Sequence, residues 1–521
     1  MEIGVNTKPA KKKQLYRDKI KSLEDLGQAL SALKAGGQKI ALCHGVFDLL
    51  HVGHIRHFEQ AKKLADTLVV TVTPDCYVNK GPHRPAFPQD LRAEAVAALE
   101  CVDYVAVNQW PRAIETIEAL KPNYYVKGSD YKDAEKDHTG GITLEKEAVE
   151  KVGGQLVFTE DITFSSSNLV NRHFSSFPKE TLDFLAQFSE KYSMDDLVRY
   201  FDSCRSLKVL TVGETIIDEY QYCEAIGKSS KEPMLAIKRL STEKFAGGVL
   251  AVANHVGNFC DQVGLITMLG SEHSQEEFVA NSLLPHIQKR FLSRRESPTI
   301  VKTRFVESYF FTKMMELYEI NDSLLHPDDN KALCEILEQE VPKYDVVIVA
   351  DFGHGMFSRE AINILCKKAK FLAVNAQTNA GNVGYQSIEK YGRADYISTA
   401  EQEIKMEARD RRGDVKKMIL DLSKKVNCNN IAVTLGKRGC ICYNAKEGFV
   451  QAPALAGVVV DRMGSGDSFF ALTSLMVAKH VPAEVIAFIG NAVGAQAVAT
   501  VGHRKFIERA PLLKQIESLL K

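Results

Sequence analysis

Short apolar segments alternate with amphipathic segments along almost the whole chain, and this alternation is the feature that most restricts its fold. The pattern predicts a buried strand in "KIALCHGVFD", a helix in "HIRHFEQAKKLAD" and a strand in "TLVVTVTP". The strands "DYVAV", "NYYVKG" and "GGQLVFTE" follow, and a predicted helix precedes each of the first two. Alternation of this kind predicts a parallel sheet with helices on both faces.

A second run of strands and helices begins near residue 207 with "LKVLTVGETIID" and continues to the end of the chain. Because 521 residues exceed what one hydrophobic core usually serves, we expect two domains. We place an N-terminal α/β domain at residues 37–178 and a C-terminal α/β domain at residues 206–521. Residues 1–36 are predicted to form a basic arm and a leading helix, and residues 179–205 a helical connector.

The composition is that of a globular protein without a dominant charge. Lys plus Arg and Asp plus Glu number 66 each, so the formal net charge is zero. The chain therefore lacks the excess of positive charge that would attract nucleic acids or acidic membranes. The eleven cysteines are scattered without a CxxC pair, as is typical of reduced thiols in the cytoplasm. The longest apolar stretch, residues 485–501, is interrupted by Asn491 and Gln496, so we predict a buried helix there. The chain opens without a signal sequence, and we expect a cytoplasmic protein.

The segment "HVGH" lies where the first predicted strand gives way to a helix. The N-terminus of a helix presents unpaired N–H groups and a partial positive charge, which suits a phosphate. His51 and His54 fall on one face of the first turn, and Gly53 leaves room for close approach of a nucleotide to the backbone. We predict that Asp48 is mainly a structural hydrogen-bonding residue of the turn, and we assign no role to His44 or His57.

The longer pattern "GVFDLLHVGH" resembles the signature of the nucleotidyltransferase superfamily, whose members transfer a nucleotidyl group from an NTP to a phosphate and release pyrophosphate. The segments "NKGPHRPAFPQDLR", "KPNYYVKGSDY" and "FSSSNLV" resemble the nucleotide-activating domain of bifunctional heptose-phosphate kinase/adenylyltransferases. The resemblance implies a Rossmann-like fold in which His51, His54 and Lys80 are catalytic. It implies nucleotide or phosphate binding by Gly45, Phe47, Gly53, Arg84, Lys127, Ser165, Ser166 and Ser167.

A second glycine-rich turn, "GSGD", precedes a strongly apolar helix near the end of the chain. Backbone N–H groups at Gly464, Ser465 and Gly466 would form an anion hole, and Asp467 is close enough to accept a proton. The pattern is similar to the catalytic signature of ribokinase-like carbohydrate kinases. In that family the aspartate activates the attacking hydroxyl and the glycine turn receives the γ-phosphate of ATP.

Other segments of the second domain resemble the same family, which implies a ribokinase-like α/β fold with a small β-lid. The implied substrate-binding residues are Asp218, Gly247 and Gly248, and the implied nucleotide-binding residues include Thr434, Gly436, Gly439 and Asn491. Glu403 would contribute to a Mg²⁺ site. Lid strands of this family often pair across a two-fold axis, so the resemblance implies a homodimer.

Several positions depart from the family pattern. Ala251 stands where a substrate-binding asparagine is expected, and Ala400 replaces the asparagine of the NxxE element. Asn375 and Gln377 occupy a strand end that reads Asp-Pro-Lys in heptose kinases. The order of the two domains is also the reverse of the common bifunctional enzyme.

These observations predict a bifunctional enzyme that phosphorylates a sugar or sugar phosphate with ATP and joins a sugar phosphate to a nucleotide. Mg²⁺ is expected as cofactor, and the transferase would use ATP or CTP. A separate phosphatase would act between the two steps. Two alternatives stay open: a degenerate kinase-like domain that only binds or dimerises, and a transferase that activates a polyol phosphate such as glycerol 3-phosphate. The "FSSSNLV" segment resembles the heptose branch more than the polyol enzymes.

Overall fold

A computed structural model describes residues 16–78, 85–128, 141–159 and 177–520 of the chain. Contacts between residues divide the chain into two units. The first unit holds the described residues up to 159 together with Leu513–Leu519, and the second unit holds Phe177–Leu512. Each unit is built around its own parallel sheet.

The first unit is an α/β layer structure with a five-stranded parallel sheet. Its helices are α1 (Leu23–Ala35), α2 (Val52–Lys62), α3 (Gln89–Ala97), α4 (Ile114–Leu120) and α5 (Gly141–Lys151). Its strands are β1 (Ile40–Gly45), β2 (Thr67–Val72), β3 (Tyr104–Val107), β4 (Tyr124–Lys127) and β5 (Gln155–Phe158). The strand order is β3-β2-β1-β4-β5, with every neighbouring pair parallel.

This strand order positions the first site, because the order reverses between β1 and β4. Ligands of open parallel sheets bind outside the carboxyl ends of the strands at such a switch point. Side chains of α2 and α3 pack on one face of the sheet, with Phe58 and Val96 fully buried. Side chains of α1, α4 and α5 pack on the other face, with Leu26 and Ile117 fully buried. Both faces are covered, which explains why the strands read as continuous apolar runs.

The second unit opens with the helix pair α6 (Lys179–Lys191) and α7 (Met194–Arg205). Its other helices are α8 (Val249–Gly257), α9 (Glu276–Asn281), α10 (Pro327–Glu340), α11 (Arg359–Lys368), α12 (Glu401–Glu407), α13 (Val415–Lys425), α14 (Ser465–Ala478) and α15 (Ala483–Ala497). The last helix, α16 (Arg509–Leu520), begins in the second unit, and its residues Leu513–Leu519 are grouped with the first unit. Its strands are β6 (Lys208–Gly213), β7 (Thr215–Lys228), β8 (Leu235–Gly248), β9 (Gln262–Glu272), β10 (Gln288–Pro298), β11 (Ile300–Glu307), β12 (Thr312–Glu319), β13 (Val346–Asp351), β14 (Leu372–Ala376), β15 (Tyr396–Ala400), β16 (Asn430–Thr434), β17 (Cys440–Asn444) and β18 (Gly448–Ala452).

Two sheets organise this unit. The large sheet has the order β10-β9-β6-β13-β14-β15-β16-β17-β18 and is parallel as far as β16, after which β17 and β18 are antiparallel. The small sheet has the order β12-β11-β7-β8 and is the lid predicted from the sequence. Because β7 follows β6 after one residue and β8 leads directly into α8, the lid is anchored to the large sheet at both ends.

The apolar stretch near residues 485–501 forms α15, whose residues are almost all buried, and this confirms the predicted helix. Across the described ranges of the chain, no helix is both long and apolar enough to cross a bilayer. All eleven cysteines lie within those ranges as free thiols, and Cys440 and Cys442 occupy buried alternate positions of β17.

The first strand ends earlier than the apolar pattern suggests. The sequence predicts a strand that extends through Asp48, whereas β1 stops at Gly45. Phe47 takes a positive φ of 49°, which a strand cannot accommodate. The chain therefore turns away from the sheet directly after Gly45 and enters α2 a few residues later.

Arg92 of α3 holds this turn to the neighbouring strand. Its guanidinium donates to the carbonyl oxygens of Val46, Thr73 and Phe87, and Nη2 lies 2.5 Å from an oxygen of Asp75. The Arg92 side chain is fully buried. The Arg92 side chain thus links the loop after β1, which holds Val46, to the loop after β2, which holds Thr73 and Phe87.

Arg92→Leu should lower the free energy of unfolding of the first unit by about 3 kcal/mol, because three carbonyl oxygens and a carboxylate lose their buried donor. Trp110 is the single tryptophan and lies in the first unit, so its fluorescence in a urea titration follows that unit alone. The control is Arg112→Leu at an exposed arginine. Equal unfolding midpoints for the two variants would contradict the assigned role.

Candidate active sites

The first site is built at the carboxyl end of β1 by the start of α2. His51 is the N-cap residue of α2, and its Nδ1 accepts a hydrogen bond of 3.1 Å from the Gly53 N–H. The rings of His51 and His54 stack with centroids 3.9 Å apart. Partial burial lowers the pKa of His51. The sequence prediction of two imidazoles on one face of the first turn agrees with this arrangement.

The Phe47 side chain packs between the His54 ring and the core residue Phe58. Its ring makes an edge contact with the His54 ring at 5.3 Å and with Phe58 at 4.9 Å between centroids. A Cβ on Gly45 would lie 2.9 Å from the Phe47 ring, so only glycine fits there. Asp48 accepts hydrogen bonds from the Ala86 and Phe87 N–H groups, which confirms the structural role predicted for it.

His44 and His57 are held by threonine hydroxyls. His44 contacts Thr71 and Thr73 with its two ring nitrogens, at 2.9 and 3.3 Å, and His57 Nδ1 lies 2.9 Å from Thr159 Oγ1. Burial lowers the pKa of His44 to about 3 and that of His57 to about 4. Both imidazoles are therefore neutral at pH 7.

Lys127 ends β4, beside β1, and its Nζ lies 2.9 Å from a carboxylate oxygen of Glu145. Both side chains are largely buried, and Lys127 also lies over the Tyr125 ring. The sequence interpretation missed Glu145, because it did not predict α5. Lys80, Arg84, Ser165, Ser166 and Ser167 lie outside the described residues, so their predicted roles stay predictions.

The second site is a cleft of about 340 Å³ between the lid and the large sheet of the second unit. Strands β7 and β11, the ends of β14 and β15 and the start of α14 all contribute to its walls. The predicted residues that line it are Asp218, Gly248, Glu403, Thr434, Gly464, Gly466 and Asp467. Lys302, Arg304, Gln377, Arg462 and His503 also line it, and the sequence assigned no site role to any of them.

Asp467 lies in the first turn of α14, below the glycine turn. Gly464 caps the helix with a φ of 74°, and a Cβ at this position would overlap the ring of His503. Asp467 Oδ1 accepts a 2.6 Å hydrogen bond from Gln377 Nε2, and Oδ2 lies 3.8 Å from His503 Nε2. Burial raises the pKa of Asp467, while His503 and the Gln377 hydrogen bond act against that rise.

Charged side chains of the lid face this carboxylate. Arg304 donates to Asp218 at 2.5 Å and to Glu316 at 2.7 Å. Lys302 lies on the same strand as Arg304, and burial lowers the pKa of its ammonium group. A Cβ on Gly247 would overlap the Asp218 carboxylate, so Gly247 serves the site through its lack of a side chain.

Both carboxylate oxygens of Glu403 accept hydrogen bonds from neighbouring residues. Oε1 accepts from the Thr378 N–H at 3.0 Å, and Oε2 accepts from the Thr399 hydroxyl and the Ala400 N–H. Burial raises the pKa of Glu403. In the described ranges, no group of three or more His, Cys, Asp or Glu side chains is arranged to hold a metal ion.

The remaining predicted nucleotide residues have structural contacts. Gly436 and Gly439, with φ values of 60° and 85°, form the tight turn between β16 and β17. Asn491 donates to the Ala452 and Ala487 carbonyl oxygens, at 3.2 and 3.1 Å. None of these three lines the described cleft, so their binding roles remain predictions.

The positions that depart from the family pattern fall into two groups. Ala251 is buried in α8 and does not line the described cleft. Asn375, Gln377 and Ala400 line it. Asn375 Nδ2 donates to the Ser398 carbonyl oxygen, while its buried Oδ1 has no hydrogen-bond partner among the described residues.

The fold is that of a two-domain α/β protein. In each domain, the N-terminus of a helix lies near the carboxyl ends of parallel strands. Residues 206–509 match the family model of the pfkB family carbohydrate kinases, and residues 42–173 match the cytidylyltransferase-like model. The first match spans more than half of the chain, and the chain therefore belongs to the pfkB family of carbohydrate kinases. It carries a cytidylyltransferase-like domain ahead of the kinase domain, which confirms the predicted fold classes and domain order.

Among curated proteins, the chain is 37% identical over 168 residues to "Bifunctional protein HldE" of Geobacter metallireducens, covering 31% of this chain and 32% of the relative. It is 38% identical over 140 residues to the protein of the same name from Trichlorobacter lovleyi, covering 26% and 27%. The chain thus spans about a third or less of the length of these relatives.

Among solved structures, Escherichia coli phosphofructokinase-2 with substrates and products matches 60% of this chain and 100% of its own, with 14% identity and a TM-score of 0.49. Arabidopsis thaliana ribokinase with ribose and ATP matches 61% of this chain and 99% of its own, with 16% identity and a TM-score of 0.45.

The lowered pKa of His57 makes the stability of the first unit depend on pH. The unfolded state binds a proton near pH 6.5 and the folded state only near pH 4, so stability is lost as pH falls through this window. Between pH 7 and pH 5, the wild type should lose about 2 kcal/mol more than His57→Gln. Urea titrations followed by Trp110 fluorescence measure the difference. The same pH dependence in both proteins would contradict it.

Proposed function

We propose that the chain is a bifunctional enzyme. Its second unit would phosphorylate a sugar or sugar phosphate with ATP, and its first unit would transfer a nucleotidyl group from an NTP to a sugar phosphate, releasing pyrophosphate. The observation that carries the proposal is the placement of Asp467 in the second cleft, under a glycine turn at a helix N-terminus. The matches to both domain families and to proteins named HldE support it.

In the kinase step, the carboxylate of Asp467 would take the proton of the substrate hydroxyl. The resulting oxygen attacks the γ-phosphorus of ATP, and the bond to the β-phosphate oxygen breaks to release ADP. The N–H groups of the turn from Gly464 to Gly466 face the place where the transferred phosphoryl group gains charge. Phosphoryl transfer needs positioning and charge stabilisation more than covalent help from the protein.

The charge distribution of the cleft favours a phosphorylated sugar over a free one. Arg304 is balanced by Asp218 and Glu316, whereas no carboxylate in the described ranges forms an ion pair with Lys302. Lys302 Nζ lies over the rings of Tyr318 and Phe352, at 5.1 and 6.0 Å from the centroids. A buried ammonium group needs a compensating anion, and a phosphate on the substrate would supply one.

In the transferase step, His51 and His54 at the start of α2 would bind the triphosphate and stabilise charge on the α-phosphorus. The acceptor phosphate attacks there, and the bond to the β-phosphate breaks to release pyrophosphate. Lys80, Arg84 and the three serines at 165–167 are proposed as phosphate ligands by family resemblance. The donor would be ATP or CTP, and a polyol phosphate is kept as an alternative acceptor.

Mg²⁺ would accompany the nucleotides and neutralise charge on their phosphate oxygens. Glu403 lines the second cleft, but both of its oxygens already accept hydrogen bonds from the chain. The residues therefore fit an ion held mainly by phosphates and water, with Glu403 orienting the neighbouring backbone. Mg²⁺ usually keeps several water ligands at such sites.

We further propose a homodimer that forms through the lid. Its strands carry exposed apolar side chains, among them Leu235, Leu240, Met315 and Leu317, each more than half exposed. Exposed apolar patches commonly mark protein interfaces. A cytoplasmic location, supported by the free thiols, and a separate phosphatase complete the proposal.

A degenerate kinase domain is the second candidate function. Ala251 offers no polar group where the family binds substrate, and Asn375 and Gln377 replace an Asp-Pro-Lys strand end. Under this alternative the second unit would bind a sugar without turning over ATP. The two candidates differ in whether ADP forms.

Single substitutions at the two sites should separate the two activities. His54→Ala should lower pyrophosphate release at least 100-fold and leave ADP formation intact, and Asp467→Asn should do the opposite, because each removes a group from one site only. Both products are measured in parallel with four NTPs and a panel of heptose, hexose, pentose and polyol substrates and their phosphates. If the wild type forms no ADP with any of them, the degenerate-kinase alternative replaces the bifunctional proposal.

Lys302→Gln should raise the KM for a phosphorylated sugar at least tenfold and change the KM for the free sugar little, because the ammonium group would contact only the phosphate. Steady-state ADP formation with both forms of the sugar measures this. Lys238→Gln, at an exposed lid lysine, is the matched control. An equal effect of Lys302→Gln on both substrates would argue for a structural role.

A further inference from the structure

His503 is one of the residues of the second cleft to which neither the motifs nor the family resemblance assigned a role. It follows α15 in the short loop before α16, and its side chain is nearly buried. Its ring occupies the space that a Cβ on Gly464 would need. The glycine of the catalytic turn therefore leaves room for an imidazole beside Asp467.

The two oxygens of Asp467 have different surroundings. Gln377 Nε2 donates to Oδ1 at 2.6 Å and fixes the plane of the carboxylate. Oδ2 faces His503, whose Nε2 lies 3.8 Å away. A proton on the imidazole would place a full positive charge next to the oxygen that must accept the substrate proton.

The other titratable groups around Asp467 and His503 are His255, Asp218, Glu403 and the lid lysine Lys302. His255 of α8 has its ring centroid 6.2 Å from that of His503, but burial keeps its pKa well below the usual value, so it stays neutral. Asp218 and Glu403 carry negative charge, which opposes ionisation of Asp467, whereas the ammonium group of Lys302 in the lid favours it. His503 is the histidine whose ring nitrogen faces Oδ2 of Asp467 directly.

We infer that His503 is a positioning residue of the kinase site, which as an imidazolium keeps the buried Asp467 ionised and ready to accept a proton. The inference rests on the proposed kinase function. A general base must be unprotonated at the working pH, and burial alone pushes Asp467 toward its protonated form.

The first test is the pH profile of kcat/KM for ADP formation. Removing the positive charge raises the pKa of Asp467, so the acid limb of His503→Gln should move to higher pH. The variant should be about tenfold slower than wild type at pH 6, the equivalent of one pKa unit, and this deficit should shrink to about twofold at pH 8.5. His480→Gln, at an exposed histidine, is the control. An equal deficit at every pH would indicate a structural role and overturn the inference.

The second test does not depend on activity. In protein labelled at histidine ¹³Cε1, the His503 signal is assigned by its loss in His503→Gln. Its titration midpoint should fall by about one pH unit in Asp467→Asn, a tenfold change in proton affinity, because the partner charge is gone. An unchanged midpoint overturns the inference. If the wild type forms no ADP while the midpoint falls, the pairing stands and the proposed kinase function fails.

Discussion

Both sites depend on the same physical arrangement, in which a helix N-terminus opens at the carboxyl end of a parallel strand. Unpaired N–H groups and the partial positive charge of the helix then face a cleft. In the first unit this arrangement comes from the strand-order reversal beside β1, with His51 as the N-cap of α2. In the second unit Gly464 caps α14 and places Asp467 in its first turn. A helix terminus of this kind favours an anion such as phosphate, and under the proposed function the neighbouring side chains would decide which reaction follows.

The second cleft brings together charges from the lid and from the helices beside the large sheet. Helices α14 and α12 contribute the carboxylates of Asp467 and Glu403, and the lid contributes Lys302, Arg304, Asp218 and Glu316. Gln377 and His503 flank the two oxygens of Asp467, so a strand-end substitution and an unassigned loop residue meet at this carboxylate. The departure at Gln377 is compatible with the role proposed for Asp467, because the amide orients the carboxylate through a direct hydrogen bond.

Local patterns allowed much of this molecule to be predicted. The alternation of apolar and amphipathic segments predicted the parallel strands of both units, the long apolar stretch predicted the buried helix α15, and the family resemblance implied the lid. The short motifs at 51–54 and 464–467 located the two helix N-termini, because such motifs combine a turn with the residues that the chemistry needs. Helix α5 was missed, and with it Glu145, the partner of Lys127. The same reasoning could not find Lys302 or Arg304, whose basic side chains look like those of any exposed strand.

The sequence by itself determined the two α/β domains, their order and the position of the turn at each candidate site. These properties follow from periodicity and from glycine-rich turns, which are local in the chain. Only the tertiary structure decided which distant side chains meet at each turn. Asp467 contacts Gln377 and faces His503, residues that lie far from each other along the chain. Burial raises the pKa of Asp467 and neighbouring charges modify it, and both effects arise only when the sheet, the lid and the last loop are packed together.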